Sequence, residues 1–126
     1  MEQDKYRLDD FKLYIKVREY RKKIYKVVKS LPVEEKFVLD PQMRKAALSI
    51  TNNIAEGHGR WQYQDNTRFC RIARGSTEEI IDDLNTCIDK EYCSNFNLFD
   101  LKDEGYELIK SINSYISYLQ SKKKDI

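Results

Sequence analysis

PQMRKAALSITNNIAEGHGR, residues 41–60, carries Met43, Ala47, Ile50, Ile54 and Gly57 at steps of four, three, four and three, and Trp61 follows at the next step of four. That rhythm keeps one apolar row along one side of an α-helix. Ser49, Asn53, Glu56 and Arg60 repeat with the same steps and form a polar row flanking the apolar one. Asp40 followed by Pro41 predicts where the helix starts. The carboxylate accepts from exposed amide donors of the first turn, and a proline at the first helical position lacks a donor that would be orphaned there anyway. Gly57 falls in the apolar row, where a missing side chain lets another backbone approach, and Gly59 is where the helix can end.

Three further segments show the same periodicity. Leu13, Val17, Tyr20, Ile24, Val27 and Leu31 form the first seam, closed by Pro32, because a proline pushes its preceding residue out of helical geometry. The third segment places Phe69, Ile72, Ala73, Ser76, Ile80, Leu84, Cys87 and Ile88 on one side, with a small, polar centre at Gly75 and Ser76. The fourth carries Leu98, Leu101, Gly105, Leu108, Ile112, Tyr115 and Leu119; a second row, Tyr106, Ile109 and Ile116, widens its face enough for an additional partner surface. With four glycines and two prolines in 126 residues, strand-and-turn folds lack their punctuation. The expectation is a single all-α domain over residues 1–126, an antiparallel up-down-up-down four-helix bundle with helices about 9–31, 41–61, 64–90 and 97–121.

Composition narrows the function. No run approaches the roughly 20 apolar residues of a membrane span, and the charged start, MEQDKYRLDDFK, has no apolar core of a signal peptide, so a cytoplasmic protein is expected. Cys70, Cys87 and Cys93 lack C-x-x-C spacing and share the chain with one histidine, His58; the expectation is buried reduced thiols, no metal and no cofactor. Gly57 and Gly59 invite a phosphate-loop reading, but Gln62 stands where the dinucleotide fingerprint needs a third glycine, and a helix stands where it needs a strand. A hydrolase built from Glu56, His58 and Glu79 with Ser76 or Cys70 is a remote alternative, because Glu56 and His58 point about 200° apart on a helix.

A structural role explains the polar row better. In antiparallel packing Asn53 and Glu56 would face Ser76 and Glu79, Arg60 or Arg68 would neutralise a carboxylate, and Gly57 and Gly75 would let the two backbones come close. Basic residues form the other constellation. Residues 1–30 hold ten Lys/Arg against five Asp/Glu, and Lys22, Lys23 and Lys26 with Arg60, Arg68, Arg71 and Arg74 are the candidates for meeting a nucleic-acid backbone. No catalytic, metal or cofactor residue is assigned.

Residues 31–79, from LPVEEKFVLD to ARGSTEE, resemble the bacterial four-helix-bundle proteins encoded by intervening sequences of 23S rRNA genes. The resemblance rests on Arg44, Ser49, Asn53, Glu56, Gly57, Gly59, Arg60, Phe69, Gly75, Ser76 and Glu79, with a fixed distance from Arg60 to Phe69. It implies an antiparallel four-helix bundle assembling with itself as a homopentamer, with no established enzymatic activity. More distantly the chain is similar to the accessory protein of diversity-generating retroelements, which implies contact with nucleic acid. Gln62 departs from a helix-capping serine of the family, which displaces the expected start of the third helix to Gln64, Asp65 or Asn66. The function expected is non-enzymatic binding of RNA or of an RNA-associated protein, without a membrane; the alternative is an assembly scaffold that engages only protein.

Overall fold

A computed structural model describes residues 7–60 and 62–124. Four helices carry the fold: α1 (Lys12–Lys29), α2 (Leu39–His58), α3 (Tyr63–Asp89) and α4 (Leu98–Lys124). Single 3-10 turns at Leu8–Asp10 and Val33–Glu35 precede α1 and α2. The predicted place of Trp61 in the α2 seam lies outside the described residues.

Cross-helix contacts fix the directions. Phe11 stacks on His58 with ring centroids 4.9 Å apart, and Arg21 donates to Thr51 Oγ1 at 2.8 Å, so numbers rise on α1 as they fall on α2. Gln42 meets Asp83 at 2.6 Å, Ser49 meets Ser76 at 2.8 Å, and Gly57 abuts Asn66, which sets α3 antiparallel to α2. Asn66 to Tyr115 at 3.0 Å and Arg74 to Asn113 at 2.7 Å do the same for α3 and α4. Lys23 to Glu104 at 3.0 Å, with Phe11 against Tyr115, closes the bundle between α4 and α1. Since α2 and α4 each touch both other helices, α1 and α3 stand at opposite corners.

The predicted seams meet inside. Val17, Tyr20, Ile24 and Val27 of α1 pack with Met43, Ala47, Ile50 and Ile54 of α2, with Ala73, Ile80 and Leu84 of α3, and with Leu108, Ile112 and Leu119 of α4, all buried. Each large aliphatic side chain removed from water contributes about 2 kcal/mol, which is what holds four amphipathic helices together. Tyr20 is wholly buried and donates its hydroxyl to the Leu101 carbonyl at 3.1 Å, leaving no polar atom of its ring unsatisfied. Cys70, Cys87 and Cys93 are free and buried, as expected of reduced thiols.

The helix ends differ from expectation for tertiary reasons. α2 starts at Leu39, whose side chain is buried, so Asp40 lies inside the first turn and binds Arg44 Nε at 2.8 Å instead of capping. Pro41 is then the third helical residue, still among the first four whose amides need no intrahelical acceptor. α1 begins three residues later than the predicted residue 9, after the 3-10 turn and an extended Phe11. α3 starts at Tyr63, ahead of Gln64, with Gln62 extended and making no side-chain cap. Gly59 caps α2 at φ −75°, so the helix ends there without using a left-handed glycine.

Two packing expectations are also corrected. A Cβ on Gly75 would meet nothing within 4 Å, so this glycine faces outward and brings no backbone close; the near approach on the α3–α4 side is at Gly105, against Tyr20 and Ile81. Ile72 is 43% exposed, because the α3 seam passes through Ala73 on one side of it. In the second α4 row Tyr106 is exposed and Ile109 half-buried, while Ile116 joins the core.

Candidate nucleic-acid interface

The polar row of α2 does register α2 against α3, but with its uncharged members. Ser49 and Ser76 share a hydroxyl hydrogen bond of 2.8 Å, and Asn53 Nδ2 donates to the Ser49 carbonyl at 2.8 Å and to its hydroxyl at 3.0 Å. Glu56 and Glu79 are exposed and do not join, contrary to expectation; Glu56 pairs along its own helix with Arg60 at 2.8 Å. A carboxylate between the helices would lose its hydration without an adequate partner, whereas Ser and Asn satisfy one another at short reach. Arg44 links Asp40 to the face of Tyr25, 5.7 Å from its ring centre, and so belongs to the α1–α2 contact.

One carboxylate does lie inside, in the partly polar row that Ile72, Ser76, Glu79 and Asp83 make along α3. Asp83 is 2% exposed; one oxygen accepts from Gln42 Nε2, and Oδ2 has no partner among the described residues. Burial pushes its carboxyl up to about 6; the Gln42 bond opposes the rise, and Asp82 and Glu79 add repulsion in the same direction as burial. Once Ser49 is placed against Ser76, register alone sets Gln42 opposite Asp83, and that signal was available.

The catalytic alternative finds no working geometry. His58 is half-buried against Phe11, and desolvation lowers its pKa; the Cys70 thiol is raised to about 11 by burial; the Ser76 hydroxyl is held by Ser49. Among the described residues no nucleophile shares a hydrogen bond with His58, and no three His, Cys, Asp or Glu side chains group as metal ligands.

The basic candidates divide into two sets. Lys22 pairs with Glu19 at 3.1 Å and Lys23 with Glu104 at 3.0 Å, while Lys26 is exposed. Arg60 and Arg68 stand over the Phe69 ring, 5.2 and 4.7 Å from its centre, Arg74 donates to Asn113 at 2.7 Å, and Arg71 is exposed. Within one protomer the sets form no single patch. They occupy opposite corners, and along α4 they stand at the levels of Glu104 and Asn113, about 13 Å apart at 1.5 Å per residue.

Charge is instead sorted along the bundle axis. The end where α1 and α3 begin comprises residues 7–20, 49–60, 62–75 and 110–122, with ten Lys/Arg against five Asp/Glu, a surplus of five. The opposite end, residues 21–48 and 76–109, has ten against thirteen, a deficit of three. Arg60, Arg68, Arg71 and Arg74 sit at the positive end, joined there by Lys12, Lys16 and Lys122 and by Lys110, which pairs with Glu107 at 3.3 Å across the boundary; these lie far apart in the sequence and meet only because the helices bring them to one end. Neither Arg68 nor Arg71 has a carboxylate within 4.0 Å among the described residues, and both side chains are exposed.

A small cleft opens beside Arg71 between α3 and α4. Tyr63, Gln64, Thr67, Arg71, Leu119 and Gln120 line about 140 Å³ of it. Leu119 is buried and forms an apolar wall, and Thr67 spends its hydroxyl on the Tyr63 carbonyl at 2.9 Å.

No described helix is long and apolar enough to cross a membrane. Among curated proteins none matches the chain. Residues 9–114 match the family model described as 23S rRNA-intervening sequence protein, spanning all four helices from the turn before α1 into α4, and the chain belongs to that family.

Proposed function

We propose that this bundle is a non-enzymatic cytoplasmic protein that binds RNA, directly or in an RNA-bound protein complex, with its positively charged end. The observation that carries the reading is the exposed pair Arg68 and Arg71 within a surplus of five positive charges, with no carboxylate within 4.0 Å of either guanidinium among the described residues. Guanidinium groups bind phosphate oxygens bidentately and release condensed counterions, so binding is salt-sensitive. Self-association, as a pentamer by resemblance to the family, multiplies such a surface through avidity.

The test is titration of fluorescent structured and single-stranded RNA at 50 and 200 mM salt. Arg68→Glu/Arg71→Glu is expected to abolish binding, whereas Lys22→Glu/Lys26→Glu at the other end leaves it within a few fold. RNA affinity absent at low salt sinks the reading. Light scattering of the same sample checks assembly, and a monomer at micromolar concentration contradicts the pentamer.

A second reading, protein capture, is favoured by the opposite end, where Val33 and Phe37 are 84% and 85% exposed and Val38 and Phe99 are also exposed. Phe37→Ser/Phe99→Ser separates the two: it leaves RNA binding intact and removes a protein partner.

A further inference from the structure

We infer that the cleft between the start of α3 and the end of α4 takes one unpaired nucleobase, so that the RNA recognised is single-stranded at this point. The inference rests on the RNA-binding reading and names the form of nucleic acid that the site accepts. At about 140 Å³ the cleft falls well below the roughly 300–1,000 Å³ of sites for drug-sized ligands, which is too small for a whole nucleotide cofactor and suits one planar heterocycle. Its lining is amphipathic in the way a base requires.

Tyr63 packs its ring against the core with part of it still accessible, and Leu119 forms the wall beside it, so a ring entering the cleft meets apolar surface. Gln64 and Gln120 are exposed at the rim, and neither amide has a hydrogen-bond partner among the described residues. Each amide offers two donors and an acceptor, which matches the mixed donor and acceptor edge of a base. Thr67 has already committed its hydroxyl proton to the Tyr63 carbonyl. Arg71 closes the rim, and Arg68 lies one turn before it on α3, placing two cations where the phosphates flanking an inserted base remain outside.

A base inside a duplex is stacked and its edge is occupied, so it reaches such a cleft only after unpairing. Stacking on an aromatic ring is tolerant of sequence, and the glutamine amides add only modest preference. The site therefore reads strandedness more than sequence.

The experiment compares a labelled 12-nucleotide single strand with the corresponding blunt RNA duplex, on the whole protein at low salt. Gln64→Ala/Gln120→Ala changes two exposed side chains and leaves the core alone; Tyr63→Leu keeps an apolar side chain while removing the ring. The wild type is expected to prefer the single strand by roughly tenfold or more. Both variants are expected to lose that preference while still binding the duplex as before, and 2-aminopurine in the strand is expected to lose emission on binding the wild type but not Tyr63→Leu. Equal affinity for strand and duplex, or a preference that survives both variants, overturns the inference and leaves the RNA reading standing if Arg68→Glu/Arg71→Glu still abolishes binding. Absence of binding to either RNA overturns both.

Discussion

The Ser49 and Ser76 hydroxyl oxygens lie 2.8 Å apart across the α2–α3 interface, with Asn53 donating to Ser49 from one turn further along α2. Two short side chains thus fix the relative height of two helices whose apolar seams would tolerate sliding. Ser76→Ala is expected to cost about 1 kcal/mol in urea unfolding, since it leaves the Ser49 hydroxyl short of a partner. The double change Ser49→Ala/Ser76→Ala is expected to cost less than the two single losses combined, and strict additivity in the double-mutant cycle refutes a direct bond.

Gly57 and Gly75 make opposite predictions. A Cβ on Gly57 would stand 2.5 Å from Asn66 Oδ1 and 3.2 Å from both the Asn66 carbonyl oxygen and Phe69 Cβ, and Asn66 is itself anchored to the Tyr115 hydroxyl. Gly57→Ala is expected to lose about 1–3 kcal/mol by overpacking. Gly75→Ala adds a methyl group in open space on a long helix and is expected to gain up to about 1 kcal/mol. Thermal melts of the two variants on either side of the wild type check the contrast.

Asp83 makes stability depend on pH with a sign opposite to that of most carboxylates. Its pKa rises from 3.8 unfolded to about 6 folded, so between those values the folded state holds a proton that the unfolded chain has released. Its protonated form is fully present below about pH 4, and stability falls as pH rises through about 6. The loss is at most about 3 kcal/mol. Asp83→Asn keeps an oxygen for Gln42 and removes the charge; it is expected to gain roughly 1–3 kcal/mol at pH 8 and little at pH 4. A variant whose denaturation midpoint differs from the wild type equally at both pH values would show that Asp83 does not titrate in this range.

The end of α3 is closed by two backbone bonds, from Tyr92 N to the Cys87 carbonyl at 2.8 Å and from Glu91 N to the Ile88 carbonyl at 3.1 Å, with Glu91 at φ 59°. This is the Schellman arrangement, and its left-handed position ordinarily belongs to glycine. Glu91→Gly is expected to raise stability by up to about 1 kcal/mol despite the greater freedom of glycine in the unfolded chain, as measured by chemical denaturation. A destabilised variant would mean that the Glu91 side chain contributes something its exposure does not show.

Much of this fold was legible because a 3.6-residue rhythm is a local property: Ile50, Ile54, Ile80 and Leu84 announced their burial without any knowledge of their partners. What depended on neighbours was less legible. Gly57 and Gly75 look alike in sequence, yet only one faces a helix, because α3 turns Ala73 rather than Gly75 inward. Leu39 belongs to α2 because the core accepts it, which outweighs the capping signal of Asp40. The arginine series of α3 was visible as a series. That Arg74 is engaged by Asn113 while Arg71 borders a cleft required the position of α4.

The axial sorting of charge has a kinetic consequence. α4 alone is 27 residues, about 40 Å long, and the screening length at physiological ionic strength is about 8 Å, so the two ends act on their surroundings independently. In dilute buffer that screening relaxes, and the acidic end of one molecule attracts the basic end of the next. Head-to-tail attraction between neighbouring molecules is therefore expected to strengthen as salt is lowered and to fade as salt is added, which light scattering along a salt series checks.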